Sequence, residues 1–267
     1  MVTLHMLRSE IDTICCSYMV RSEGSLIALD GGFEQESENL YRTVKAYGGT
    51  VDAWFFTHAH DDHVAGFCRM MEDHPDVRVG RIVRNFPAVE KILAYAPDAE
   101  MGLTARIDGI AAARGIELVT AHRGDAYEFD GFTVRVINEM TDEFHENFLN
   151  DTSVVYRVEA NCRRVLFLGD LGWTAGADLL AKVPAEELKA DYVQMAHHGQ
   201  NGVDRAFYEA VDPDYCLWST PSWLWDNMGP EGYDTGPYKT VIVRGWMSEL
   251  GIKKHYIDRD APLDIEL

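Results

Sequence analysis

Residues 55–66 read FFTHAHDDHVAG. An apolar strand, Ala53–Phe56, runs straight into His58, His60, Asp62 and His63. In extended backbone His58 and His60, two residues apart, point to one side. Asp62 and His63 fall at the start of a helix expected over Asp62–Glu72, facing a second point close by. Imidazole and carboxylate suit zinc, iron and manganese. Four such side chains within six positions are costly to bury unless a cation shares them. A solvated polar turn would account for a lone histidine; it does not account for H-x-H-x-D-H at the end of a strand.

Other apolar runs stop in the same way. LIALDGG ends at Asp30, RRVLFLGD at Asp170, and DYVQMAHHG at His197 and His198. Each has a local alternative. Asp30 before Gly31–Gly32 can be a turn former, and Asp170 can cap a helix near Leu171–Trp173. One of the two histidines can be an ordinary hydrogen-bonded side chain.

H-x-H-x-D-H behind a buried strand resembles the signature of the metallo-β-lactamase superfamily, and the further landmarks follow that family's order between residues 25 and 200. The resemblance implies an α/β (α+β) chain folded as a four-layer αββα sandwich, with a one- or two-metal site between the sheet edges. It implies that Asp30 braces the metal loop and that Asp170 bridges two metals. The first metal would take His58 and His60, the second Asp62, His63 and His198. His197 would face the substrate. Two zinc ions are expected, with iron or manganese as alternatives.

One departure matters. Glyoxalase II and many lactamases carry another His ligand before the bridging Asp, often as G-H-T. Here NFLNDTSVVY offers Asn150, Asp151 and Ser153, and the nearest histidine is His145. N-D-x-S-x-V followed by L-x-G-D and H-H-G resembles the branch holding the hydrolase domain of DNA-uptake competence proteins and the teichoic-acid phosphocholine esterases. In that branch an Asn/Asp element stands in for the missing His. Asn150, Asp151 or water would then complete the first metal's shell; otherwise Asn150–Asp151 is only an Asx turn opening the Ser153 strand.

The implied chemistry is hydrolysis by a metal-bound hydroxide, acting on a small phosphoester or phosphodiester. Asp62 and His197 are the candidate catalytic residues, with His197 as the acid for the leaving group. No G-x-S-x-G and no Gly-rich phosphate loop is present. The rival readings are a lactone, amide or thioester hydrolase on the same site, and a catalytically silent metal-binding sensor.

Composition narrows the partners. The 267 residues hold 24 Lys+Arg against 44 Asp+Glu, a formal charge of −20, which disfavours a nucleic-acid-coating or polybasic membrane-binding role. Glu139, Asp142, Glu143, Glu146 and Asp151 crowd one loop, a poor neighbour for a long polyanion. Arg78, Arg81 and Arg84, Arg163–Arg164 and Lys253–Lys254 read as solvated faces. The expected partner is a small-molecule substrate, with no long nucleic acid and no membrane; the sequence is silent on oligomeric state. Trp218, Trp223, Trp225 and Trp246 form either an aromatic wall near the site or ordinary packing. The five cysteines have no CxxC spacing and read as reduced thiols, with Cys15–Cys16 packed in a strand. The opening MVTLHMLRSEIDTICC lacks a basic segment followed by an apolar one, so a cytoplasmic location is expected.

No linker or repeat divides the chain, which reads as one domain, 1–267. Strands are expected at Thr3–Leu7, Thr13–Val20, Ser25–Leu29, Ala53–Phe56, Val77–Val83, Glu117–Thr120, Phe132–Ile137, Ser153–Val158, Val165–Leu168, Tyr192–Met195, Tyr215–Trp218 and His255–Ile257. Helices are expected at Glu36–Tyr47, Asp62–Glu72, Thr104–Arg114, Gly176–Val183, Asp204–Ala210 and Pro237–Leu250.

Overall fold

Two seven-stranded sheets lie face to face in a computed structural model that describes residues 1–96, 102–260 and 263–267. The first half of the chain supplies β1 (Thr3–Met6), β2 (Tyr18–Arg21), β3 (Leu26–Leu29), α1 (Ser37–Ala46), β4 (Thr50–Phe55), α2 (Asp61–Asp73), β5 (Arg78–Arg84), α3 (Val89–Tyr95), α4 (Gly102–Arg114) and β6 (Glu117–Thr120). The second half supplies β7 (Ala126–Phe129), β8 (Phe132–Val136), α5 (Phe148–Asp151), β9 (Tyr156–Ala160), β10 (Arg163–Phe167), α6 (Trp173–Lys182), α7 (Ala185–Leu188) and β11 (Tyr192–Gln194). It continues with α8 (Arg205–Val211), β12 (Tyr215–Trp218), α9 (Ser222–Trp225), α10 (Thr240–Leu250), β13 (Lys254–Ile257) and β14 (Leu263–Glu266).

The strand orders are β14-β1-β2-β3-β4-β5-β6 and β13-β12-β11-β10-β9-β8-β7. Both sheets follow one plan. Antiparallel strands lead to a last hairpin strand, β3 or β10, and parallel strands joined by helices follow it. Parallel connections put helices on the outer faces, so the strands are buried on both sides. β3 shows this: all four residues are buried, Leu26 and Ala28 toward the helices and Ile27 and Leu29 toward the other sheet.

Three large apolar layers result. One joins the first sheet to α1, α2 and α4 through Leu40, Val44, Trp54, Phe67 and Ile107. The second fills the space between the sheets with Ile27, Phe55, Val83, Tyr156 and Phe167. The third joins the second sheet to α6, α8 and α10 through Leu166, Leu179, Phe207, Trp218 and Met247. Burying each such side chain stabilises the fold by about 2 kcal/mol. The architecture is the expected αββα sandwich. Among the described residues no helix is long and apolar enough to cross a membrane.

Several element boundaries differ from the sequence expectation, for identifiable reasons. The strand expected at Thr13–Val20 begins only at Tyr18. Cys16 instead turns its carbonyl to the N–H of Gly32, so this segment wraps the loop after β3 rather than pairing in the sheet. The strand expected from Ser153 begins at Tyr156, because the Val154 N–H is donated to Thr57 O. β7 and β14 were not anticipated. Both are edge strands with charged residues on their exposed sides, which masks an apolar strand signal.

Candidate metal centre

The candidate residues gather at the carboxyl ends of the central strands, where the crevice of an α/β sheet places its chemistry. Asp30 follows β3, His58 and His60 follow β4, and Asp62 and His63 open α2. Asp170 follows β10, while His197 and His198 follow β11. Asp30 and Asp170 thus occupy matching places in the two sheets, each just beyond the last antiparallel strand.

Asp30 and His63 form one donor group with Cys16, and two more include Asp170. Asp62, His63, Asp170 and His198 offer atoms within 4.8 Å of one another, and so do His58, His60 and Asp170. Asp170 belongs to both. His63 Nε2 lies 3.2 Å from Asp170 Oδ1, and His198 Nε2 lies 3.2 Å from Asp170 Oδ2. His198 Nε2 also approaches Asp62 Oδ2 at 2.9 Å without hydrogen-bond alignment, so that contact is electrostatic. In the other group His58 Nε2 is 3.0 Å from His60 Nδ1 and 3.9 Å from Asp170 Oδ2.

Five buried atoms of these residues have no hydrogen-bond partner: His63 Nε2, Asp170 Oδ1, His197 Nδ1 and both ring nitrogens of His198. Each unpaired buried polar atom costs about 1–3 kcal/mol. His63 Nε2, His198 Nε2 and Asp170 Oδ1 belong to residues of one donor group, and a cation would satisfy them together. The donor set therefore fits a divalent metal of the zinc, iron or manganese type.

A buried relay aims the rings. Asp30 Oδ1 accepts the Thr57 N–H at 2.9 Å, while Oδ2 accepts the Thr57 hydroxyl and His63 Nδ1–H, both at 2.8 Å. The bond to Nδ1 turns His63 Nε2 toward Asp170. His58 Nδ1 bonds the Thr57 hydroxyl oxygen at 3.1 Å, which leaves its Nε2 facing the centre. Cys16 Sγ adds a weaker contact to Asp30 Oδ2 at 3.8 Å. Sequence reading singled out Asp30 but missed Thr57 and Cys16 as its partners. It also missed Gln194, whose side chain ties Leu168 N–H and Gly169 O to β11 and so fixes the approach to Asp170. A polar residue inside the apolar YVQMA run was the available signal.

Backbone geometry is specialised in the same places. Asp30, His197 and His198 all have positive φ, 54°, 52° and 56°. Such conformations cost non-glycine residues about 1–3 kcal/mol and concentrate at functional sites. Gly66 in α2 passes so close to the loop after β3 that a Cβ there would strike Gly31 O and sit 2.7 Å from Phe33 O.

Charge is distributed unevenly. Burial holds the His58 imidazole well below its usual pKa, and burial lowers His60 as well. Burial works against charge on His198, yet Asp170 and Asp62 push it up to about 9. Burial likewise opposes charge on His63, but Cys16, Asp170, Asp62 and Asp30 together hold it well above the ordinary value. Against its own burial, Asp170 is held well below the carboxylate range by His198, His63 and His197. The negative potential that retains protons on His63 and His198 is the one that would attract a dication.

The remaining candidates are placed as follows. His197 is partly exposed, at 26% for its side chain, with Nε2 3.9 Å from Asp170 Oδ2. It stands beside the centre rather than within either donor group. Asp151 joins neither group; its Oδ1 accepts the Gly172 N–H at 3.1 Å, where α6 begins. Burial pushes its carboxyl up to about 6. Asn150 donates Nδ2 to Asn147 Oδ1, and its own Oδ1 is buried without a partner.

The surrounding segments resolve in part into packing. Trp218 is fully buried against Gly199, and Thr220 Oγ1 donates to His198 O at 2.8 Å, so the tryptophan-rich segment braces the His197–His198 turn. In the acidic loop Glu139 pairs with His122 and Asp142 with Lys91. Among the basic residues, Arg84 pairs with Asp108, Arg163 with Asp191 and Lys253 with Asp214.

The family described as the metallo-beta-lactamase superfamily matches residues 12–207. Solved structures share the fold over the whole chain. The metallo-beta-lactamase fold protein YhfI from Bacillus subtilis is 10% identical, with all of both chains covered and a TM-score of 0.59. The diiron beta-hydroxylase CmlA from Streptomyces venezuelae is 14% identical, with 54% of its chain covered and a TM-score of 0.62. A diphosphatase of the PhnP family is 14% identical, with 98% of its chain covered and a TM-score of 0.55. At these identities the likeness concerns the fold alone. No curated protein matches the sequence.

Proposed function

The chain belongs to the metallo-β-lactamase superfamily, and from that premise we propose that it is a metal-dependent hydrolase acting on a small phosphoester or phosphodiester. The observation that carries this reading is Asp170, a single carboxylate shared by two donor groups. When bound there, two dications would supply a strongly nucleophilic water at neutral pH and offset charge developing on phosphoryl oxygens. Zinc is the first assignment for both, with iron and manganese suited to the same donors. His58 and His60 would hold one ion, Asp62, His63 and His198 the other, with Asp170 between them.

The chain's own groups do the rest. Asp30 and Thr57 keep His63 and His58 aimed and unable to rotate. His197, exposed to incoming substrate beside Asp170, delivers the proton to the leaving oxygen. The net charge of −20 favours a small substrate drawn by the local positive focus over a long polyanion. A cytoplasmic setting suits the free cysteines.

The test is a panel of phosphomonoester, phosphodiester, lactone and thioester substrates offered to the metal-loaded protein. Turnover of a phosphoester is expected, falling about 10²-fold or more in His60→Ala and in His197→Ala. Hydrolysis of the lactone or thioester without the phosphoesters would overturn the substrate class. Metal uptake with no turnover on any member would make the chain a binding protein.

A further inference from the structure

We propose that the two metal sites are unequal. The Asp62, His63, Asp170 and His198 site holds its ion tightly, and the His58, His60 and Asp170 site holds an exchangeable ion that a phosphate-bearing ligand helps to retain. The proposal rests on the dinuclear reading above and concerns the order in which the sites fill.

Donor count is the first ground. One group has two carboxylates and two imidazoles; the other has two imidazoles and a carboxylate already shared. Among the described residues no further His, Cys, Asp or Glu joins the smaller group. Asp151, the nearest alternative by sequence, is committed to the Gly172 N–H. Three protein donors leave an open position on an ion such as zinc, whereas four close it.

Preorganisation is the second ground. Of the buried atoms left without partners, His63 Nε2 and His198 Nε2 belong to the larger group and not to the smaller, while Asp170 Oδ1 sits on the carboxylate the two groups share. Binding there relieves a penalty the fold already carries. In the smaller group His58 Nε2 and His60 Nδ1 bond each other at 3.0 Å. An ion must break that contact before it is ligated, so part of its binding energy is offset.

Charge is the third ground. The tight ion uses the Asp62 and Asp170 carboxylates. A second dication then arrives beside the first and finds one shared carboxylate, so the two ions repel with little to screen them. An anionic oxygen donor in the open position restores the balance. By linkage, the factor by which phosphate tightens the second ion equals the factor by which that ion tightens phosphate.

The experiment titrates the full-length metal-free protein with micromolar zinc, by calorimetry and by metal analysis after gel filtration. One retained equivalent is expected, with a second bound about 100-fold more weakly. Inorganic phosphate should tighten the second by about 10-fold and leave the first unchanged. His60→Ala should keep the tight equivalent and lose the weak one; His198→Ala should lose the tight one. Two equivalents retained alike, a His60→Ala protein lacking the tight ion, or indifference to phosphate would each overturn the proposal. None of these readouts needs turnover, so failure of the phosphoester assay leaves the result standing. Absence of any bound zinc would overturn the metal reading and this proposal with it.

Discussion

Asp30 Oδ2 accepts the Nδ1–H of His63 at 2.8 Å, from a backbone held at φ 54°. The strained residue and the ring are therefore one unit. The carboxylate sets which ring nitrogen carries the proton, and so leaves Nε2 free to face Asp170. Asp30→Asn keeps the size but presents an amide to Nδ1. Metal affinity is expected to fall about 10–100-fold, measured by competition with a chelator. Unchanged affinity would show that the ring is held by packing alone.

Asp151 separates anchoring from ligation. Its carboxylate accepts the buried N–H of Gly172, the residue just before α6, so Asp151→Ala is expected to cost about 1 kcal/mol in denaturant unfolding. Zinc stoichiometry should not change. Loss of an equivalent would return Asp151 to the list of ligands.

Gly66 marks where α2 meets the loop after β3. An added Cβ would collide with backbone carbonyls of Gly31 and Phe33, which cannot swing aside as a side chain could. Gly66→Ala is expected to destabilise by about 3 kcal/mol and to loosen the metal loop. Gly109 on the exposed side of α4 has nothing within 4 Å of a Cβ, so Gly109→Ala should stabilise by about 0.5–1 kcal/mol. Thermal or denaturant unfolding of the pair checks both signs.

Asp258 makes stability depend on pH. Its Oδ1 accepts the Ser9 N–H at 2.7 Å, and its Oδ2 is buried without a partner. Burial, with Glu36 and Asp12 adding to it, pushes the carboxyl up to about 7. The folded chain therefore keeps this proton where the unfolded chain, with a carboxyl near about 4, gives it up. Stability associated with Asp258 is fully present below that lower value and is lost as pH rises through about 7. Unfolding measured from pH 4 to pH 8 should show a shallower decline in Asp258→Asn than in the parent. Equal slopes would show that other groups govern the trend.

The local chemistry was legible in advance. H-x-H-x-D-H, LDGG, LGD and AHHG each end an apolar run, and strand ends follow from short-range patterning. The alternation of buried runs with amphipathic helices pointed to helices outside stacked sheets, and the three apolar layers bear this out. Edge strands β7 and β14 escaped because their exposed charges break the apolar run.

From the sequence alone came the donor types, their order and their places at strand ends, because these depend on neighbours a few residues away. The tertiary structure alone decided that Asp170 falls in both donor groups, that His198 is buried while His197 is open, and that Asp151 turns to α6 instead of the centre. It also set Cys16 and Thr57 around Asp30. Such roles depend on register between strands distant in sequence and on how deeply each side chain is buried. No local pattern encodes either quantity.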